Sequence, residues 1–454
     1  MLNPLRLLRP PGFRSLGFVS GLVACLTMPL VISAAAFAQG AGCNAGTLCI
    51  DLSPRNFKPM PIAIVDFVGE GLQGQEVAGV ITSNLRRSGV FEPIDRARFP
   101  EQNIAFDAAP NFAAWQGIGA QAVLNGRVVR EGGRLVVEYR LWEVSTNKSI
   151  LGQRHGVDAA AWRRLGHLAS DAVFERLTGE TGFFDTRIVF VDETGPKDKR
   201  RKRLAIMDQD GANFLALSSG EELLVTPRYS PRGDRVAFMA FGNGRPRVQI
   251  LDLGTGQRNV IGQDGVMSFA PRFAPNGGTL AMSIENNGQA NIAAVDLGSR
   301  SLRPLTSGGA IDTSPSYSPD GSQIVFESDR GGGQQLYVMS ADGSGARRIS
   351  FGEGRYSTPV WSPKGDLIAF TKQRGGNFAI GIMKPDGSGE RILTEGFHNE
   401  GPSWAPNGRY IVFFRESGAG AKLHMVDITG RVDVPIPTPN FASDPAWSPL
   451  RSAR

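Results

Sequence analysis

Histidine and cysteine are scarce in this 454-residue chain, which holds four of the first and three of the second. His155, His167, His398 and His424 are scattered, and none sits at the spacing a zinc site requires. No Gly-x-Ser-x-Gly turn is present to expose a nucleophilic serine, and no Gly-x4-Gly-Lys loop to cradle a phosphate. These absences exclude the common hydrolase and nucleotide-binding signatures. Charge of one sign is also modest. The formal net charge is +6, and Arg6, Arg9 and Arg14 supply half of it. What remains is too little to argue for nucleic acid. The one dense basic run, KDKRRKR at 197–203, lies between two strand-like segments and reads as a solvated hairpin loop. An apolar content of 41% fits a globular chain, not a disordered or multi-span membrane protein.

The three arginines precede an apolar run over 16–36, with no acidic residue among them. Ala36, Phe37 and Ala38 form a small-x-small cleavage site. Residues 1–38 are therefore expected to be a signal peptide, with cleavage between Ala38 and Gln39 and a periplasmic mature chain. The run is long enough for an uncleaved anchor, but Pro29 and the alanine-rich end favour removal. A lipid-attachment box ending at Cys25 is the other rival, and the apolar run continues well past it. Cys43 and Cys49 survive cleavage, and an oxidising compartment favours a disulfide between them.

Glycine (57) and proline (29) are plentiful, and much of both belongs to a repeat. The units read TPRYSPRG at 226–233, APRFAPNG at 270–277, SPSYSPDG at 314–321, TPVWSPKG at 358–365, GPSWAPNG at 401–408 and DPAWSPL at 444–450. Their first prolines recur at intervals of 44, 44, 44, 43 and 43 residues. Each unit predicts four short strands. The first carries an aromatic: Tyr229, Phe273, Tyr317, Trp361, Trp404 or Trp447. A Ser/Ala-Pro-x-Gly turn leads to an apolar strand, where Pro presets φ and Gly accepts a positive φ. Four antiparallel strands per repeat of this length is propeller geometry, and one blade alone cannot bury its faces. All six aromatics are expected to pack in the core. Six first strands are present, but only five complete units follow Pro227. Three strand-like segments at 186–191, 203–207 and 213–217 precede the first unit. The ring is expected to close by pairing Trp447's strand with Ile188's, which removes the open sheet edges. The fold class is thus mainly β, a six-bladed propeller over 183–454.

Residues 39–182 are read as a small α/β domain. The sequence predicts a strand at 61–67 and a helix at 75–88, with Val77, Val80, Ile81 and Leu85 inward and Gly89 as its stop. A hairpin is predicted at 122–129 and 134–144 around Gly132 and Gly133. A second helix is predicted from Asp158, as its cap, to Leu177, with Trp162, Leu165, Ala169, Ala172 and Val173 inward and Gly179 ending it.

At RRSGVFEPIDRARFP (86–100) and RLGHLASDAVFERLTG (164–179), the chain resembles the TolB family of the Tol-Pal system, over essentially its whole mature length. The resemblance implies a non-enzymatic scaffold without cofactor. It would bind the lipoprotein Pal at one propeller mouth and TolA through its mature N-terminus, and would support outer-membrane invagination and integrity during cell division. Carried over residue by residue, the Pal side comprises loops before the first strands. These are Met267, Ser268, Phe269 and Ala270; Asp312, Thr313 and Ser314; Tyr356, Ser357 and Thr358; and His398, Asn399 and Glu400. Met267 stands where better-known relatives carry histidine. The TolA side would be the strand-like segment Thr47, Leu48, Cys49, Ile50, Asp51 and Leu52. Two other readings remain. One is a propeller-lidded hydrolase, with His398 and Glu400 as its only testable acid–base pair. The other is a propeller that holds a sugar or Ca²⁺ in its channel, the ion through Asp312, Glu400 and Asp444.

Overall fold

The computed structural model describes residues 48–52, 57–69, 71–196, 199–242 and 245–451. The signal segment, the Ala38–Gln39 cleavage site, Cys43, Thr47 and part of the basic run lie outside the described residues. Among the described residues no helix is long and apolar enough to cross a membrane.

In the N-terminal domain, β1 (Met60–Ile64) is apolar on both faces because it lies inside a sheet. It pairs in parallel with β3 (Phe91–Pro93) and β4 (Ala122–Glu131), while β2 (Val68–Gly69) pairs with β4 farther along. Helix α1 (Gln73–Arg87) makes the crossover from β1 to β3, burying Val77, Val80, Ile81 and Leu85 as their spacing requires. The hairpin of β4 with β5 (Arg134–Glu143) turns at Gly132 and Gly133, both at positive φ, the pattern of a two-residue turn. The sequence reading does not include the short strands β2 and β3, the edge strand β6 (Lys148–Asp158) or the short helix α2 (Phe112–Gly117).

Helix α3 (Arg163–Thr178) packs on α1 at a close crossing. A Cβ on Gly166 would lie 2.6 Å from a Val80 methyl, so only glycine permits that spacing. Gly179 ends the helix in the left-handed conformation, as expected. Asp158 does not cap it. A 3₁₀ turn over Ala159–Ala161 intervenes, and Asp158 makes no side-chain cap bond. Leu165, Ala169 and Val173 are buried, and so are Phe174 and Leu177, which the sequence reading omitted.

The propeller follows the predicted plan. Four blades of four strands each and one eight-stranded sheet, two blades joined by a single Phe378–His398 bridge, account for the ring. The composite blade is closed by the terminal strand Phe441–Trp447 against Arg187–Thr194, with Trp447 opposite Ile188. Neighbouring blades are also stitched by backbone N–H groups. Trp361 donates to Ser316 Oγ at 3.2 Å, and Trp447 to Ser403 Oγ at 3.0 Å.

The joint between the two domains is core. Phe183 and Phe184 are fully buried, and Phe183 stacks 4.3 Å from Tyr410 and meets Trp447 edge-on at 5.9 Å. Tyr410 Oη donates to Ser88 O at 2.8 Å, and Arg87 donates to the carbonyl and side chain of Gln209 at 2.9 and 3.0 Å. One apolar cluster therefore runs from β1 through α3 into the last blades.

Candidate functional site

The residues assigned to the Pal side are not loops. They form the N-terminal halves of the inner strands Met267–Phe273, Asp312–Tyr317, Arg355–Trp361 and His398–Trp404. The proline in each repeat explains the difference. Proline lacks an N–H, so the ladder must break there, and a bulge absorbs the break. Register shifts occur at that point in all six inner strands. The residue before each proline takes positive φ: Thr226, Ala270, Ser314, Thr358 and Asp444 at 47° to 53°, and Gly401 at 69°. The left-handed conformation costs an L-residue about 1–2 kcal/mol. Replacing Ala270 by glycine is therefore expected to stabilise the fold by about 1 kcal/mol, read as a raised denaturant midpoint with an unchanged slope.

Several of these residues build the wall. Ser268 is buried and its Oγ accepts the Val248 N–H at 2.9 Å. Asp312 is buried under a two-pronged contact from Arg330 at 2.9 Å. Glu327 gathers Thr313 Oγ, Ser314 Oγ at 3.1 Å and the Thr358 N–H at 2.9 Å, which ties two blades together. Buried Tyr356 and Asn399 are likewise engaged, Tyr356 Oη with Glu390 and Asn399 with Phe378 O and Arg415. Met267, Phe269, Ala270, Ser314, Ser357, Thr358, His398 and Glu400 keep partly exposed faces.

The sequence reading missed the most exposed apolar groups at this end. Ile311, Phe351 and Phe397 are 49%, 71% and 69% exposed, and each sits in the connection leading into an inner strand. Two blades away, the cross-strand pair Leu223 and Phe241 is also exposed at the same end. Ile311, Phe351 and Phe397 lie on three consecutive blades, which makes this end a candidate contact surface.

On the N-terminal domain, the segment assigned to TolA is not a strand over Leu48–Leu52. Its Ile50 N–H donates to Leu177 O, a free carbonyl at the end of α3, at 2.7 Å. Leu48, Ile50 and Leu52 pack on the domain core. Cys49 is disulfide-bonded, and its partner lies outside the described residues.

The histidines serve packing and polar networks. His398 Nε2 lies 2.9 Å from Glu400, and its ring stacks on Phe378 at 4.6 Å. His424 sits beside Asp433 at 3.2 Å, and His155 beside Tyr139 at 3.0 Å. His167, buried in α3, accepts from Asn84 on α1 at 3.0 Å. Asp312, Glu400 and Asp444, the carboxylates considered for Ca²⁺, stand on three different blades. The one described group of three convergent ligand atoms is His167, Asp208 and Asp210, at the domain joint, and it includes none of them.

One carboxyl in the joint is displaced far enough to read in solution. Burial pushes Asp171 up to about 7, against the N–H groups of Phe184 and Asp185 that donate to it at 2.7 and 2.9 Å. The folded state then holds a proton that the unfolded state releases near pH 3.8. The contribution of Asp171 to stability is thus largest below pH 3.8 and declines as pH rises to about 7. His155, lowered chiefly by burial, acts in the opposite sense as pH falls below 6.5. The difference between wild type and Asp171→Asn isolates the carboxyl. Between pH 4 and 7 the wild type should lose stability relative to the variant with rising pH, by up to about 1.4 kcal/mol per unit. Denaturant melts across that range check it.

The TolB beta propeller domain model matches residues 174–451. The TolB amino-terminal domain model matches 48–150. The crystal structure of TolB from Acinetobacter baumannii superposes with a TM-score of 0.79 at 29% identity, covering 86% of this chain and 97% of that one. A structure described as putative TolB from Agrobacterium tumefaciens aligns over 57% of this chain and 90% of its own, at 19% identity and a TM-score of 0.47. With both domain models in chain order, a propeller closed through Trp447 and Ile188, and an N-terminal domain joined to it through Phe183, the chain belongs to the TolB family.

Proposed function

We propose that this chain is an exported, periplasmic adaptor of the Tol-Pal system that works by docking proteins and carries out no catalysis. It binds the lipoprotein Pal at the propeller mouth formed by the starts of the inner strands. It binds TolA through the segment around Leu48–Leu52. Through these contacts it supports outer-membrane integrity during division. The observation that carries this reading is the exposed apolar rim of Ile311, Phe351 and Phe397 around that mouth. Exposed aromatics on a rigid scaffold are suited to being hot spots. The half-buried TolA-side segment bonds to the end of α3 through the Ile50 N–H and packs Leu48, Ile50 and Leu52 on the domain core.

Capture from a detergent extract of the envelope tests both contacts. The wild type should recover a peptidoglycan-associated lipoprotein. Phe351→Glu with Phe397→Glu should lose it without a lower melting temperature, because both side chains are solvated in the free protein. Ile50→Asp should lose TolA and retain the lipoprotein. Recovery of the lipoprotein at wild-type yield by the double rim variant would place the contact elsewhere.

A further inference from the structure

The end of the propeller away from the rim carries a cleft lined mostly by cations. It lies between the Ser230-Pro231 turn of the first complete unit and the Ser448-Pro449 turn after the closing strand, and encloses about 250 Å³. Arg164, Arg187, Arg232 and Arg451 line it, and Asp234 is the acidic residue in that lining. Ring closure fixes the backbone of two of these arginines. The Arg187 N–H donates to Ser448 Oγ at 2.9 Å, and its carbonyl accepts the Ser448 N–H at 2.8 Å. The Arg451 N–H donates to Asp185 O at 3.0 Å.

One of the four guanidiniums is spent inside the protein. Arg164 Nε donates to both oxygens of buried Asp185, at 3.1 and 2.9 Å. Arg232 stands at the exposed edge, 3.2 Å from Asp234. Arg187 and Arg451 differ from both. Arg187 comes no nearer than 3.6 Å to Asp208, and Arg451 no nearer than 3.8 Å to Asp185. Neither side chain makes a hydrogen bond among the described residues. Their side chains are 41% and 29% exposed, so a solute in the cleft reaches them. Burial lowers Arg451 below the usual arginine range, and the Arg187 charge pushes the same way more strongly than either Asp185 or Asp208 opposes it. The two guanidiniums are therefore close enough to repel. With buried Asp185 and Asp208 counted behind them, four guanidiniums face three carboxylates. A positive excess in a partly dehydrated place is unfavourable until an anion meets it. A planar carboxylate is filled by one guanidinium fork. A phosphate group presents oxygens in tetrahedral directions, which two forks from separate chain segments can share.

We propose that this cleft binds a phosphate group, free or as a monoester, between the Arg187 and Arg451 guanidiniums with Arg232 at its edge. The phosphate oxygens accept from nitrogens that have no acceptor in the described chain, and they separate two charges that otherwise repel. Ile206, Leu253 and Leu450 line the same cleft and give the substituent of an ester an apolar wall. The site depends on neither partner contact proposed above.

Calorimetric titration of the full mature chain in phosphate-free buffer tests this, with inorganic phosphate, glycerol 3-phosphate and acetate as probes. Phosphate should give saturable heat, and acetate should bind at least about tenfold more weakly. Glycerol 3-phosphate bound as tightly as phosphate or tighter assigns the site to monoesters, and weaker binding assigns it to the free ion. Arg187→Met and Arg451→Met should each weaken phosphate at least about tenfold. Both should melt near wild type, since neither side chain makes a hydrogen bond among the described residues. If neither folds, Arg232→Ala decides, with an expected loss of about threefold from a side chain 78% exposed. Arg201→Met removes an equal charge at the far end of the strand pair that begins at Arg187, and should leave the affinity unchanged. No saturable heat from either phosphate probe, acetate bound equally well, unchanged affinity in the cleft variants, or an equal loss in Arg201→Met would each overturn the proposal.

Discussion

A chain ended after Asn440 will not give a folded propeller. The removed strand Phe441–Trp447 is the inner strand of the composite blade, and every one of its ladder bonds runs to Arg187–Thr194. Without it, Ile188, Val189 and Val191 lose their cover and a long sheet edge opens in the middle of a ring. Neighbouring blades bury their apolar faces against one another, so an open ring leaves both flanks exposed. Trp447 alone is a large part of the effect. It is buried, its indole N–H bonds Thr186 and its backbone N–H bonds Ser403 in the adjacent blade. Trp447→Ala should cost about 3–5 kcal/mol from the lost side chain. The truncated chain should show no cooperative thermal transition by calorimetry, while Trp447→Ala should show one at a lower temperature. A truncated protein that melts like wild type would mean the blades do not depend on closure.

Phe183→Ala will lower stability by a similar amount, about 3–5 kcal/mol, and will split the unfolding. Phe183 touches Phe174 of α3 at 5.9 Å, Phe184 at 4.2 Å, Tyr410 at 4.3 Å and Trp447 at 5.9 Å. It thus joins the N-terminal helix, the fifth complete unit and the closing strand in one contact group. The buried Tyr410 Oη bond to Ser88 O and the Arg87 bonds to Gln209 cross the joint beside this ring stack, and the variant leaves both pairs of partners in place. Wild type should unfold in one calorimetric transition because its apolar cluster spans both domains. The variant should show two, with the N-terminal domain melting first. A single transition at an unchanged temperature would mean that the joint is not held by Phe183.

The contrast between what sequence shows and hides is physical. The proline interval made the ring legible, since a strand deficit before Pro227 and a surplus at Trp447 admit one closure. The same prolines also contained the bulges. A proline inside a strand removes a ladder donor, yet the strained residue before it was read as a loop. Helix α1 was legible because its four apolar positions face one way. The start of α3 was not, because chain packing around Trp162 overrides the capping preference of Asp158. Phe183 and Phe184 carry no periodicity, so their role emerges only where the last blade arrives beside α3.

The candidate faces were legible as places and less so as atoms. The family resemblance assigns Met267 to Glu400 to one mouth, but it does not distinguish wall residues such as Ser268 and Asn399 from partly exposed ones such as Phe269. Exposed Phe351 and Phe397 look in sequence like any buried phenylalanine of a short strand.

Calorimetric titration of the purified mature chain with the soluble domain of the Pal-type lipoprotein is the most direct test of the docking account. It should give saturable heat at one-to-one stoichiometry, and Phe351→Glu with Phe397→Glu should weaken the affinity at least about thirtyfold, as for paired hot-spot aromatics. Absence of heat from the wild type, or the same affinity in the double variant, would contradict it.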